Sequence, residues 1–172
     1  MDNQTTRWLT LGGVLGALTL IDLWLAAALP TMKLVLYTLS SLPMIVMVLE
    51  TNKRSALIFY GATAALALLI LPNTPLSALP YVLLLGLYGL VKAVAERMPS
   101  TVVEWVIKLV YCNVMTGLWY LLIVKLLLPD IVWPLPVGLL AVLAQVAFIG
   151  GDFVYSAAVW YYAKKIRPKL KF

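Results

Sequence analysis

The chain has 172 residues, 63% of them hydrophobic and 12% charged, with a mean hydropathy of +0.99. Soluble domains run at about 45–50% apolar and about 25% charged, so there is too little polar surface for a water-soluble fold and lipid is the solvent of most of the chain. The formal charge of +6 would raise nucleic acid as a partner of a soluble protein, and the absence of His removes the commonest metal ligand and the usual general base near neutral pH.

At roughly 20 apolar residues per crossing, the pattern reads as an all-α polytopic membrane protein. It forms a single integral membrane domain of six helices, with no room for a separate soluble domain. The first span, 8–29, stops at Pro30; it is long enough to cross and lacks a convincing cleavage site, so it reads as a helix and not a signal peptide. The second, 33–49, carries Pro43, where a kink or a change of local geometry is expected, and ends in the polar turn 50–54. The third, 56–71, closes on Pro72 and Pro75, and the fourth covers 76–94. An amphipathic joint, 95–102, leads to the fifth span, 103–128, stopped by Pro129. Trp133 lies between apolar residues in a stretch suited to the membrane interface, and the sixth span, 137–162, runs into a basic tail, 163–172. The single cysteine, Cys112, permits no intramolecular disulfide and reads as a small buried hydrophobe.

Alternate sides of these spans differ in Lys and Arg. One side holds Arg7, Lys53, Arg54, Lys92, Arg97, Lys108 and five residues of the tail, eleven in all, against Lys33 and Lys125 on the other. Under the positive-inside rule both termini are cytoplasmic, in a bacterial plasma membrane. Trp8, Trp160, Tyr161 and Tyr162 fall at the inner interface, and Tyr81 and Trp133 at the outer one. The basic excess is then an orientation and lipid-contact signal, and no nucleic-acid partner is needed to account for it.

A lone charge in hydrocarbon costs at least about 2.5–3.5 kcal/mol, so polar residues within spans are the first functional candidates. Asp22 lies near the outer end of helix 1, Asn113 near the middle of helix 5, Gln145 in the outer half of helix 6, and Asp152 deeper, after Gly150 and Gly151. One reading makes Asp22, Asn113 and Gln145 the polar points of an outward cavity whose walls are Trp24, Tyr88, Trp119 and Tyr120, in the manner of small-molecule sites. The other has them satisfy one another or the backbone between helices, with Asp22 pairing to Lys33. Helix 1 carries two overlapping small-xxx-small pairs, Gly12 with Gly16 and Gly13 with Ala17, for packing within the protein or docking on another subunit. Phosphate loops, nucleophile elbows, metal-ligand clusters and paired carboxylates are all missing. The expectation is therefore a non-enzyme with no cofactor and no metal.

The short N-terminus, the small-residue face on helix 1, the Leu39-Ser40-Ser41-Leu42-Pro43 stretch and six spans in under two hundred residues resemble the substrate-binding S components of energy-coupling factor transporters. The resemblance covers the whole chain as architecture. It implies a subunit that captures a vitamin or precursor from outside and docks on a transmembrane coupling subunit driven by two ATPases. It also implies that Gly12, Gly13, Gly16 and Ala17 contact that subunit, and that Tyr81, Tyr88, Asn113, Trp119, Tyr120, Trp133 and Gln145 are placed to meet ligand. Without His, and with one Cys, a nickel or cobalt cargo does not fit. A competing class is a non-transporting scaffold similar in size to the cell-shape membrane protein MreD, whose helix faces and basic inner surface would hold partners. An aromatic cavity favours capture, and a bundle centre filled by side chains favours the scaffold.

Overall fold

A computed structural model describes residues 3–71, 76–123 and 136–168. The expected turn between Pro72 and Pro75, the loop residues Lys125, Pro129, Asp130 and Trp133, and the last residues of the tail lie outside the described residues. Every described element is helical. Helix α1 (Asn3–Ala28) is followed by a short 3₁₀ turn (Pro30–Met32), α2 (Lys33–Glu50) and α3 (Lys53–Ile70). A π-wound segment (Pro80–Leu85) runs into α4 (Gly86–Ala95); α5 (Thr101–Leu122), α6 (Val137–Tyr161) and a final π turn (Tyr162–Ile166) complete the order.

Five of these, Thr6–Ala28, Lys33–Glu50, Lys53–Ile70, Thr101–Leu122 and Val137–Ile166, are long and apolar enough to cross a membrane. The element expected as the fourth span is the shorter Pro80–Ala95. At about 1.5 Å per residue its 6 and 10 residues span about 24 Å, short of the roughly 30 Å hydrocarbon core.

Local chemistry explains the boundaries. The Asn52 side chain accepts a 2.8 Å bond from the Ser55 N–H and caps α3 directly after the polar turn that ends α2. Helix α2 runs through Pro43, and the wholly buried Ser40 and Ser41 donate to the carbonyls of Tyr37 (2.8 Å) and Thr38 (2.6 Å). Returning a hydroxyl to its own helix satisfies the donor within the helix at both positions.

The chain forms two compact units, Met1–Lys108 and Leu109–Phe172, with the boundary inside α5. In the first, α1 to α4 pack around two apolar clusters. One gathers Leu23, Ala26, Tyr37, Ala67, Leu71, Ala78 and Tyr81; the other gathers Met44, Met47, Ala56 and Phe59. Three tyrosine hydroxyls bond within or just before the π-wound segment. Tyr37 donates to the Ser77 carbonyl at 2.6 Å, Tyr60 donates to the Val82 carbonyl, and the Tyr81 hydroxyl lies 2.8 Å from Thr63 Oγ1. A widened turn frees carbonyls for such outside donors, so α3 holds the segment through hydroxyls as well as apolar contact.

The second unit contains the later turns of α5 and all of α6. Both helices expose large apolar side chains, among them Val114, Leu118, Val142 and Phe153. Such surfaces suit lipid, where the helix satisfies its own backbone and side chains face hydrocarbon.

Candidate small-molecule site

Within the second unit, α5 and α6 flank a cavity of about 370 Å³. Cys112, Asn113, Thr116, Gly117, Trp119 and Tyr120 form its α5 wall, while Val137, Leu140, Ala141, Ala144 and Gln145 form the α6 wall. The spacing follows from helix geometry. On α5, positions 112, 113, 116, 117, 119 and 120 recur at the three- and four-residue interval of one helical face, and on α6 positions 137, 140, 141, 144 and 145 do the same. The small Gly117, Ala141 and Ala144 keep the space open, and Trp119 and Tyr120 give it aromatic surface.

One polar pair sits in this apolar setting. Gln145 Nε2 donates to Asn113 Oδ1 at 2.9 Å, and Asn113 Nδ2 donates to the Leu109 carbonyl at 2.8 Å. Asn113 and Gln145 thus bond to each other and also line the cavity. Among the described residues no Asp, Glu, Lys or Arg lines the cavity.

Comparison with known protein families, characterised proteins and solved structures returned no match of any of the three kinds.

The remaining sequence candidates are placed elsewhere. Tyr81 and Tyr88 are 0% and 1% exposed in the first unit, where Tyr81 belongs to the apolar cluster already described. Asp22 is half-buried on α1 beside the wholly buried Thr19, Leu23 and Ala26, and among the described residues no ion pair joins it to Lys33. Trp133 lies outside the described residues.

The small residues of α1 divide between two faces. A Cβ on Gly16 would meet Thr63 Cγ2 at 3.5 Å and Phe59 Cε2 at 3.6 Å, and one on Gly12 would meet Met47 Cε at 3.8 Å. Both therefore serve packing against α2 and α3. Gly13 has nothing within 4 Å, and it and Ala17 are exposed.

Sequence reasoning missed a charged cluster in the first unit. Lys92 and Lys108 were counted as inner-loop charges, but they lie in α4 and α5 and are 2% and 1% exposed. Lys92 Nζ lies 2.8 Å from Glu96 Oε1, and the same oxygen is 3.9 Å from Lys108 Nζ. Lys108 also pairs with Glu104 at 2.7 Å and lies 5.2 Å from the Trp105 ring centroid. The signal was available: Lys92 and Glu96, like Glu104 and Lys108, stand four apart, the interval that brings helical side chains together.

Proposed function

We propose that this chain is the substrate-capture subunit of an energy-coupling factor importer, binding a small vitamin-like molecule in the α5–α6 cavity. The observation that carries the reading is the convergence of Asn113, Trp119, Tyr120 and Gln145 on one cavity. Its size falls within the roughly 300–1,000 Å³ of small-molecule sites, and its mostly apolar wall with a few placed polar groups has their character.

In this reading all six apolar helices cross a bacterial plasma membrane, the short Pro80–Ala95 element included, and both termini are cytoplasmic. With Lys92 and Lys108 withdrawn into ion pairs, nine basic positions still face that side against Lys33 and Lys125. Lys164 stands 5.1 Å from the Trp160 ring and Lys165 5.4 Å from the Tyr161 ring, a basic and aromatic pairing suited to an inner interface that touches anionic lipid. The exposed Gly13 and Ala17 form the docking face for a transmembrane coupling subunit with two ATPases.

A thermal-shift screen of the detergent-purified chain against water-soluble vitamins and their precursors tests capture. A ligand at 100 times its dissociation constant adds about 2.7 kcal/mol. No shift with any candidate would favour the MreD-type scaffold, the reading to which the side-chain-filled centre of the first unit lends support.

Docking has its own test. Gly13→Leu is expected to abolish uptake in cells while leaving ligand binding and thermal stability unchanged, because nothing lies within 4 Å of that Cβ. Gly16→Leu is expected to lower stability, since Phe59 and Thr63 stand in its way. Full uptake by Gly13→Leu would remove this face from the docking proposal.

A further inference from the structure

The hydrogen-bond inventory of the cavity narrows what it can hold, an inference that rests on the capture reading above. Asn113 spends one N–H on the Leu109 carbonyl and Oδ1 on Gln145, which leaves it a second N–H but no adjacent acceptor that is not already bonded. Gln145 spends one N–H on Asn113, and among the described residues it makes no other hydrogen bond. A primary amide has two donors and a carbonyl acceptor, so Gln145 Oε1 and its second N–H remain as an adjacent acceptor and donor at the cavity wall. Gln145 is half-buried, so this edge is accessible to a molecule that enters the cavity.

We propose that the cavity takes a neutral, flat heterocycle bearing a cis-amide edge, an N–H beside a C=O as in a lactam or cyclic imide. Its N–H donates to Gln145 Oε1, its carbonyl accepts from Gln145 Nε2, and its ring lies against the aromatic surface of Trp119 and Tyr120. The pairing is the bidentate contact of two amides and needs no proton transfer. Among the described residues an anionic ligand finds no Lys or Arg in the wall and a cationic one finds no carboxylate, so neither would meet a counter-charge from α5 or α6.

Four bicyclic probes of similar size separate the possibilities on the full chain in detergent micelles, read by saturation-transfer NMR and calorimetry. They are 2-quinolone, which has the edge; N-methyl-2-quinolone, which lacks the donor; quinoline-2-carboxylate, an anion; and N-methylquinolinium, a cation. The expected order places 2-quinolone first, with N-methylation weakening binding by about tenfold or more, because the loss leaves an acceptor unpaired. Gln145→Leu is expected to weaken 2-quinolone by about tenfold and N-methyl-2-quinolone by about twofold at most, so that the two converge. Ala144→Leu, which fills the cavity, is expected to weaken both.

Equal binding of the two quinolones to the wild-type chain overturns the proposal, and this comparison stands even if Gln145→Leu does not fold. Preference for the anion, or for the cation through the aromatic surface, also overturns it. Provided Ala144→Leu abolishes that binding, capture in this cavity still stands. Binding of 2-quinolone that survives Ala144→Leu overturns the location. If none of the four probes binds and no vitamin shifts the melting temperature, the capture reading falls together with the ligand class.

Discussion

Replacing Glu96 and Glu104 together by glutamine is expected to cost about 3 kcal/mol or more, well beyond the sum of the two single replacements at about 1 kcal/mol each. Lys108 is 1% exposed, with Glu104 Oε1 at 2.7 Å and Glu96 Oε1 at 3.9 Å. With either carboxylate gone, the other still faces the Lys108 ammonium, and Lys92, whose 2.8 Å partner is Glu96, has a further interaction of its own. Loss of both takes two counter-charges from a side chain that has no access to water. Breaking a buried pair from one side costs about 3–5 kcal/mol. The single values are set lower because the Glu96 and Glu104 side chains are 40% and 22% exposed, where solvent screens part of the attraction. Thermal unfolding in detergent of the wild type, both single variants and the double variant closes the cycle. Adding Lys108→Met to the double variant is expected to recover part of the loss, because the methionine carries no charge into the interior. Strict additivity, with no recovery, would mean that the cluster behaves as separate surface pairs.

That cluster also shows where reading charges along the chain stops being reliable. Lys92 and Lys108 count as interfacial when a charge is assigned by its place between apolar runs, yet helical winding turns both inward and their i,i+4 partners follow. Helix positions were legible because the breaks are chemical. Pro30, the Asn52 cap and the α6 start at Val137 each mark a place where the backbone cannot continue or gains a better partner. The shortness of the fourth helix was hidden, since hydropathy over 76–94 does not register π winding contacted by the hydroxyls of Tyr60 and Thr63 from α3. The cavity wall was half legible. Asn113, Trp119, Tyr120 and Gln145 stood out as polar or aromatic in apolar spans, and a single helix pair brings them together. Tyr81 and Tyr88 stood out for the same reason but fold into another unit, and periodicity within one helix carries no information on which helix it will face. On α1 the four-residue interval pairs Gly12 with Gly16 and Gly13 with Ala17. Only the positions of Met47, Phe59 and Thr63 decide that the first pair turns inward.

Gly86→Ala is expected to be the most damaging single-methyl change in the first unit, at about 2–3 kcal/mol. A Cβ at this position would stand 2.8 Å from Tyr60 Cε2 and 2.8 Å from the Tyr81 carbonyl oxygen, closer than carbon atoms tolerate. The ring can yield only by moving its hydroxyl away from the Val82 carbonyl, and the Tyr81 carbonyl cannot yield without disturbing the bond it accepts from the Gly86 N–H. Overpacking of a filled site costs about 1–3 kcal/mol, and loss of a hydrogen bond in low dielectric adds about 1 kcal/mol. Helix propensity acts in the opposite direction, since alanine in a helix interior is favoured over glycine by about 0.8–1.0 kcal/mol. The clash term is larger, so the sign is destabilising. Gly61→Ala supplies the contrast: nothing lies within 4 Å of a Cβ there, so the propensity term acts alone and the variant is expected to melt slightly above the wild type. Thermal unfolding of the two variants side by side decides the matter. Equal gains at both positions would mean that Tyr60 and the π-wound turn do not hold the close approach that Gly86 permits.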